Sequence, residues 1–202
     1  MEENGRTIVD FVSSRAWLEQ DRALRVARDA CERATVTLAA VAPEEEIRPL
    51  IRHLRESGQL TAGLVLRALL SGNLEMFIEA LAELSDMPLT RVSALVHDRG
   101  GSGLRAVFER AGLPASTYPA FREATEALRE AGFDPAGGAR LKRRMVERVL
   151  TRCADQADVD TAPLLTLLRR FVAEAAREEA RMFCQELSAD DPIDPAYARA
   201  AA

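Results

Sequence analysis

Apolar residues recur along most of this chain at intervals of three, four and seven, the spacing that gathers side chains on one face of an α-helix. From about Arg15 onward, Trp17, Leu18, Leu24, Ala27, Cys31, Ala34 and Leu38 share such a face, which predicts a long helix with that stripe turned to the core. The β-branched run Thr35-Val36-Thr37 weakens its last turns. Ahead of it, Ile8, Val9, Phe11 and Val12 suggest a short helix over 6–13. Ala42-Pro43 marks a boundary, and Glu44, Glu45 and Glu46 suit the positive end of the helix that follows.

Short helices then succeed one another. A helix over 43–57 stops at Gly58, placed as a terminal left-handed glycine. Thr61 is placed to cap a helix through Leu64, Leu66 and Leu69 to Gly72, and Asn73 to cap one carrying Met76, Phe77, Leu81 and Leu84. Thr90 is expected to cap 91–97 and Ser102 to cap 104–111, which stops at Gly112-Leu113-Pro114. Further helices are predicted over 116–131, 139–154 and 161–187. The tail 188–202, with Pro192 and Pro195, is expected to be flexible. No segment alternates apolar and polar residues long enough to predict a strand. The fold class is all-α.

A weak internal echo refines that class. Gly63-Leu64 followed by Gly72 resembles Gly103-Leu104 followed by Gly112, and Phe77-Ile78-Glu79-Ala80 resembles Phe121-Arg122-Glu123-Ala124. An offset of about forty residues is the period of paired-helix repeats, so a HEAT-like α-α superhelix of about eight to ten helices is expected. One domain over 1–187 accommodates it, with an N-terminal sub-bundle 6–57 packed on a core 58–187.

Composition narrows the function more than the fold. Apolar residues make up 48% of the chain but aromatics only 5%, so Leu, Ala and Val must build the core. The net charge of −5 argues against nucleic acid as a partner. Three widely spaced cysteines, Cys31, Cys153 and Cys184, form no CxxC pair; reduced thiols, no disulfide and a cytoplasmic location are expected. No apolar run approaches the length of a membrane span.

Several strings resemble a bacterial family known as domain of unknown function 2336. They are Gly58-Gln59-Leu60-Thr61, Leu64-Val65-Leu66-Arg67-Ala68-Leu69, Gly72-Asn73-Leu74-Glu75-Met76-Phe77, His97-Asp98 and Arg143-Arg144-Met145-Val146-Glu147-Arg148. The most specific is Gly103-Leu104-Arg105-Ala106-Val107-Phe108-Glu109-Arg110-Ala111-Gly112-Leu113-Pro114. The resemblance implies a helical, HEAT-like fold, and it brings no established activity and no catalytic residues to carry over.

Two constellations could carry chemistry. His53, then His97-Asp98, then one of Asp155, Asp158 or Asp160 follow the order of ligands in HD-type metal phosphohydrolases, where imidazole and carboxylate hold a divalent ion that activates water. The competing structural account has His97 at a negative helix end and Asp98 starting a turn. Gly101, Ser102, Gly103 and Arg105 form the second candidate, a glycine turn opening a helix, whose amides and guanidinium suit a phosphate or carboxylate. It lacks the Lys-Ser/Thr ending of a P-loop. The basic cluster Arg140, Lys142, Arg143, Arg144, Arg148 and Arg152 has no aromatic neighbours for base stacking and is expected to be a solvated face. Cys31, Cys153, Trp17 and Phe171 are expected in the core.

These observations favour a non-enzymatic, protein-binding or regulatory scaffold with no cofactor and an unidentified protein partner. Self-association through the apolar stripe of 161–187 is a further expectation. The alternatives are a metal-dependent phosphohydrolase using His53 and His97-Asp98, and an anion or small-ligand sensor at the Gly100–Arg105 turn.

Overall fold

A computed structural model describes residues 19–98, 100–131, 140–156 and 159–190. The chain runs through α1 (Gln20–Val41), α2 (Glu44–Glu56), α3 (Ala62–Ser71), α4 (Leu74–Ser85), α5 (Leu89–His97), α6 (Ser102–Arg110), α7 (Tyr118–Ala131), α8 (Arg143–Asp155) and α9 (Ala162–Asp190). Short 3-10 turns at Ala115–Thr117 and Val159–Thr161 lead into α7 and α9. No strand occurs among the described residues, and the fold is all-α.

The local chemistry explains the central boundaries. The Thr61 hydroxyl accepts the Leu64 N–H at 3.1 Å and the Asn73 side-chain oxygen accepts the Met76 N–H at 3.0 Å, so α3 and α4 each begin on a side-chain cap. Between them Gly72 turns into the left-handed region, with φ 84°, and its N–H bonds the Leu69 carbonyl. That one-residue reversal makes α3 and α4 a tight pair at the centre of the molecule. α3 packs against α1, α4 and α7; α4 packs against α2, α5 and α6; α7 leads to α8 and α8 to α9. Phe77 of α4 and Phe121 of α7 lie with ring centroids 6.0 Å apart, and Phe108 of α6 meets Phe121 at 5.1 Å. Aromatics are few, and these three share one cluster.

The echoed positions adopt like roles. Gly72 and Gly112 both end helices with positive φ, while Phe77 and Phe121, like Ala80 and Ala124, are fully buried.

Other boundaries differ from expectation. Pro88 rather than Thr90 precedes α5, because proline's fixed φ suits the entry to a helix. Gly101, in the left-handed region, is the residue that precedes α6, and Ser102 is already helical. Arg140, Leu141 and Lys142 lie ahead of α8 instead of within it. α9 continues past residue 187 to Asp190. α1 stays helical through Thr35-Val36-Thr37 to Val41, with the Thr35 and Thr37 hydroxyls donating to the carbonyls of Cys31 and Arg33 one turn back. The helix predicted over 6–13, Trp17, Leu18, Asp158 and the tail beyond 190 lie outside the described residues.

Candidate functional site

The two constellations read from sequence land on helix ends. His53 is exposed near the end of α2, and His97 is exposed at the end of α5 with its Nδ1 2.7 Å from the Ser93 carbonyl. Asp98 follows α5, accepts the Gly100 N–H at 3.3 Å, and so shapes the turn. Among the described residues no three His, Cys, Asp or Glu side chains are gathered to hold a metal ion, so His53, His97 and Asp98 are not brought together as a ligand set. At the glycine turn, a Cβ on Gly103 would lie 2.8 Å from the Leu95 carbonyl oxygen. Glycine there lets α6 close on α5. Arg105 is turned along its own helix, donating to Glu109 at 2.9 Å, with its guanidinium 5.6 Å from the Tyr118 ring.

A more elaborate polar site lies elsewhere. α3 is apolar almost all round, yet it carries Arg67, whose side chain is only 2% exposed. A charge that deep persists only with partners. Arg67 Nη1 donates to Glu174 of α9 at 2.6 Å, and its guanidinium sits 4.6 Å over the Phe171 ring. Glu32 of α1 lies 3.8 Å from Nε, within ionic range but too far to accept a hydrogen bond, and Nε has no other acceptor. Burial holds the Glu32 carboxyl above its ordinary range, against the pull of Arg67 and with a further push from Asp29. Thr61 donates to Glu32 at 3.3 Å, and Arg170 pairs with Asp29. Arg67 thus ties α1, α3 and α9 together.

Beside this junction opens a cleft of about 360 Å³. α1 contributes Arg33 and Val36, α3 contributes Arg67 and Ser71, Arg140 and Leu141 come from the residues ahead of α8, and α9 supplies Glu174, Glu178 and Arg181. Glu178 is shared by Arg181 at 2.7 Å and Arg140 at 3.6 Å, and Arg33 reaches Glu174 at 4.0 Å. The basic cluster ahead of and within α8 is thus more than a solvated face: Arg143 also meets Glu147 and Glu179, and Arg148 meets Glu130. The sequence reading missed Arg67, although a lone arginine inside the apolar run Leu64–Leu70 is itself a signal. On a helix buried on all faces such a residue must find a carboxylate from another helix.

The third feature is apolar and outward. Of the stripe expected to turn α1 into the core, Leu24 and Leu38 are exposed and Ala27, Cys31 and Ala34 are half-buried. Ala23, Thr35, Val36 and Ala39 make its buried face, while Leu24, Leu38 and Val41 stand 51%, 53% and 76% exposed. Small side chains near the core let α1 lie close to α3, and the bulkier stripe faces away. Leu24, Ala27, Cys31, Ala34, Leu38 and Val41 follow the alternating spacing of three and four that marks a helix-pairing seam. On α9, Phe183 and Leu187 are likewise exposed, one turn apart. Cys153 is buried as expected, its thiol pushed up to about 11 chiefly by desolvation, whereas Cys31 is only half-buried and Cys184 is exposed.

Residues 5–158 match the model of a family described as an uncharacterised protein conserved in bacteria (DUF2336). The chain belongs to that family. No curated protein and no solved structure matches it. The DUF2336 match takes in α1 to α8 and ends before α9, so the cleft joins family-matched Arg33, Arg67 and Arg140 to Glu174, Glu178 and Arg181 from beyond the match. No helix among the described residues is long and apolar enough to cross a membrane.

Proposed function

We propose that this DUF2336 protein is a non-enzymatic, HEAT-like helical interaction module of the cytoplasm, which pairs the outward seam of α1 with the same seam of a second copy. The observation that carries the reading is the set of exposed large apolar residues on α1, with Leu24, Leu38 and Val41 on one stripe through half-buried Ala27, Cys31 and Ala34, and Val26 exposed beside it. Large apolar side chains concentrated along one helix face at a spacing of three and four mark a contact surface rather than scattered exposure. The seam is self-complementary. Leu24 and Leu38 stand equally far, seven residues, on either side of Cys31, with small Ala27 and Ala34 between. Two copies running antiparallel about Cys31 set each Leu24 against the partner's Leu38 and let the backbones approach at the alanines. Three widely spaced cysteines with no CxxC pair suit a reducing compartment.

The geometry supplies its own test. In a Cys184→Ser background, mild oxidation should link two chains through Cys31, and Cys31→Ser should abolish the link. A Cys31 thiol that oxidises only to monomeric products at micromolar protein concentration contradicts the antiparallel arrangement. Phe183 and Leu187 favour a second contact at the end of α9, and Phe183→Glu would weaken association there without changing the Cys31 link.

A further inference from the structure

We propose that the cleft between α1, α3 and α9 binds a small organophosphate, its phosphoryl oxygens held by Arg33, Arg140 and Arg181. Four guanidinium groups line this cleft against two carboxylates, Glu174 and Glu178, and with Glu32 set 3.8 Å from Arg67 one positive charge remains in surplus where an anion would enter. The internal pairing is uneven. Glu174 is committed to the buried Arg67 at 2.6 Å and reaches Arg33 only at 4.0 Å, while Glu178 must serve both Arg181 and Arg140, the latter at 3.6 Å. Arg33, Arg140 and Arg181 keep side chains 51%, 61% and 61% exposed, so solvent and a ligand reach them.

Arg67 adds an independent sign. Its almost wholly covered side chain forms part of the same lining and leaves Nε without a hydrogen-bond acceptor. The Arg67 charge itself is met by Glu174 at 2.6 Å and by Glu32 at 3.8 Å, so the buried arginine holds Glu174 away from the exposed arginines of the cleft.

The geometry favours phosphate over carboxylate. The three reachable arginines come from three separate elements, so they approach from different directions. A carboxylate offers two oxygens, enough for one or two forks, whereas a terminal phosphoryl group offers three. Val36, Leu141 and Ala175 give the cleft an apolar wall for the organic part of the ligand, and its volume falls in the range of small-molecule sites. This site is separate from the glycine turn at Gly101, where Arg105 is paired with Glu109.

The test is calorimetric titration of the full chain with pyrophosphate and, in parallel, with succinate, in low salt. One saturable pyrophosphate site is expected, weakened about ten-fold by Arg140→Gln and again by Arg181→Gln, and unchanged by Arg105→Gln. The two cleft arginines are mostly exposed, so the variants should keep the parent's helical circular dichroism. Absence of both saturable binding at millimolar pyrophosphate and co-sedimentation with phosphatidate vesicles, or equal binding by the parent and both cleft variants, overturns the site. Succinate binding as tight as pyrophosphate overturns the phosphate assignment. Co-sedimentation with phosphatidate vesicles in the absence of pyrophosphate binding overturns the soluble ligand in favour of a lipid headgroup.

Discussion

Helices α3 and α1 lie against each other, yet they are held by opposite means. Eight of the ten residues of α3 are buried, and its identity as a central helix follows from having no polar face to show to water. α1 is more than twice as long and buries four of 22 residues. What fastens α1 is a small alanine-valine contact and a set of charges, Asp29 to Arg170 and Arg33 to Glu174, with its larger apolar residues left outside. One helix is spent on stability. On our proposal the other keeps its bulk for a partner.

Substitutions should separate the two roles sharply. Phe77→Ala in α4, which packs on α3 and stacks on Phe121, removes a fully buried ring and is expected to cost about 3–5 kcal/mol in denaturant unfolding. Leu38→Gln in α1, by contrast, should change stability by no more than about 0.5 kcal/mol. A comparable loss at Leu38 would erase the distinction between core and contact surface.

Arg67 is where the two helices meet, and Arg67→Met should cost about 2–3 kcal/mol. It lies below the figure for breaking a dry pair because Glu174 keeps some contact with water. The smallest effect sharpens the electrostatic half of the contrast. Burial raises the Glu32 carboxyl, so the folded state favours its protonated form, and the stability it confers is full below the ordinary value of 4.5 and lost as pH rises through the higher folded value. Glu32→Gln should therefore be slightly more stable than the parent at pH 7, with the gap closing as pH falls toward 4.5. Thermal unfolding across that range reads it directly, and a Gln variant less stable at pH 7 would show that the Arg67 attraction outweighs desolvation.

The α3–α4 centre was legible in the sequence because its signals are local. Thr61, Asn73 and Gly72 each act within one turn of their own position, and the Leu64–Leu70 run needs no knowledge of its neighbours to be read as buried. The face of α1 was not legible. Periodicity identified Leu24, Cys31 and Leu38 as one stripe, and the stripe exists, but only the packing partner decides which face turns inward. The alanine face lets the helix approach α3 more closely, and the acidic residues beside it meet Arg67 and Arg170. The cleft was hidden for the same reason. Arg33, Arg67, Arg140 and Arg181 are separated by tens of residues, and no motif joins them. The Gly101–Arg105 turn was legible as a candidate because glycine, serine and arginine are close in sequence. Gly103 is there for the approach to Leu95, and Arg105 for Glu109.

Sedimentation velocity of the full chain over micromolar concentrations, beside a Leu24→Glu, Leu38→Glu double variant, tests the role of the α1 seam most directly. The account predicts a concentration-dependent dimer for the parent and a folded monomer for the variant, since two charges placed on the seam face their counterparts across the antiparallel pair. A parent that stays monomeric throughout, or a variant that still dimerises, would contradict it.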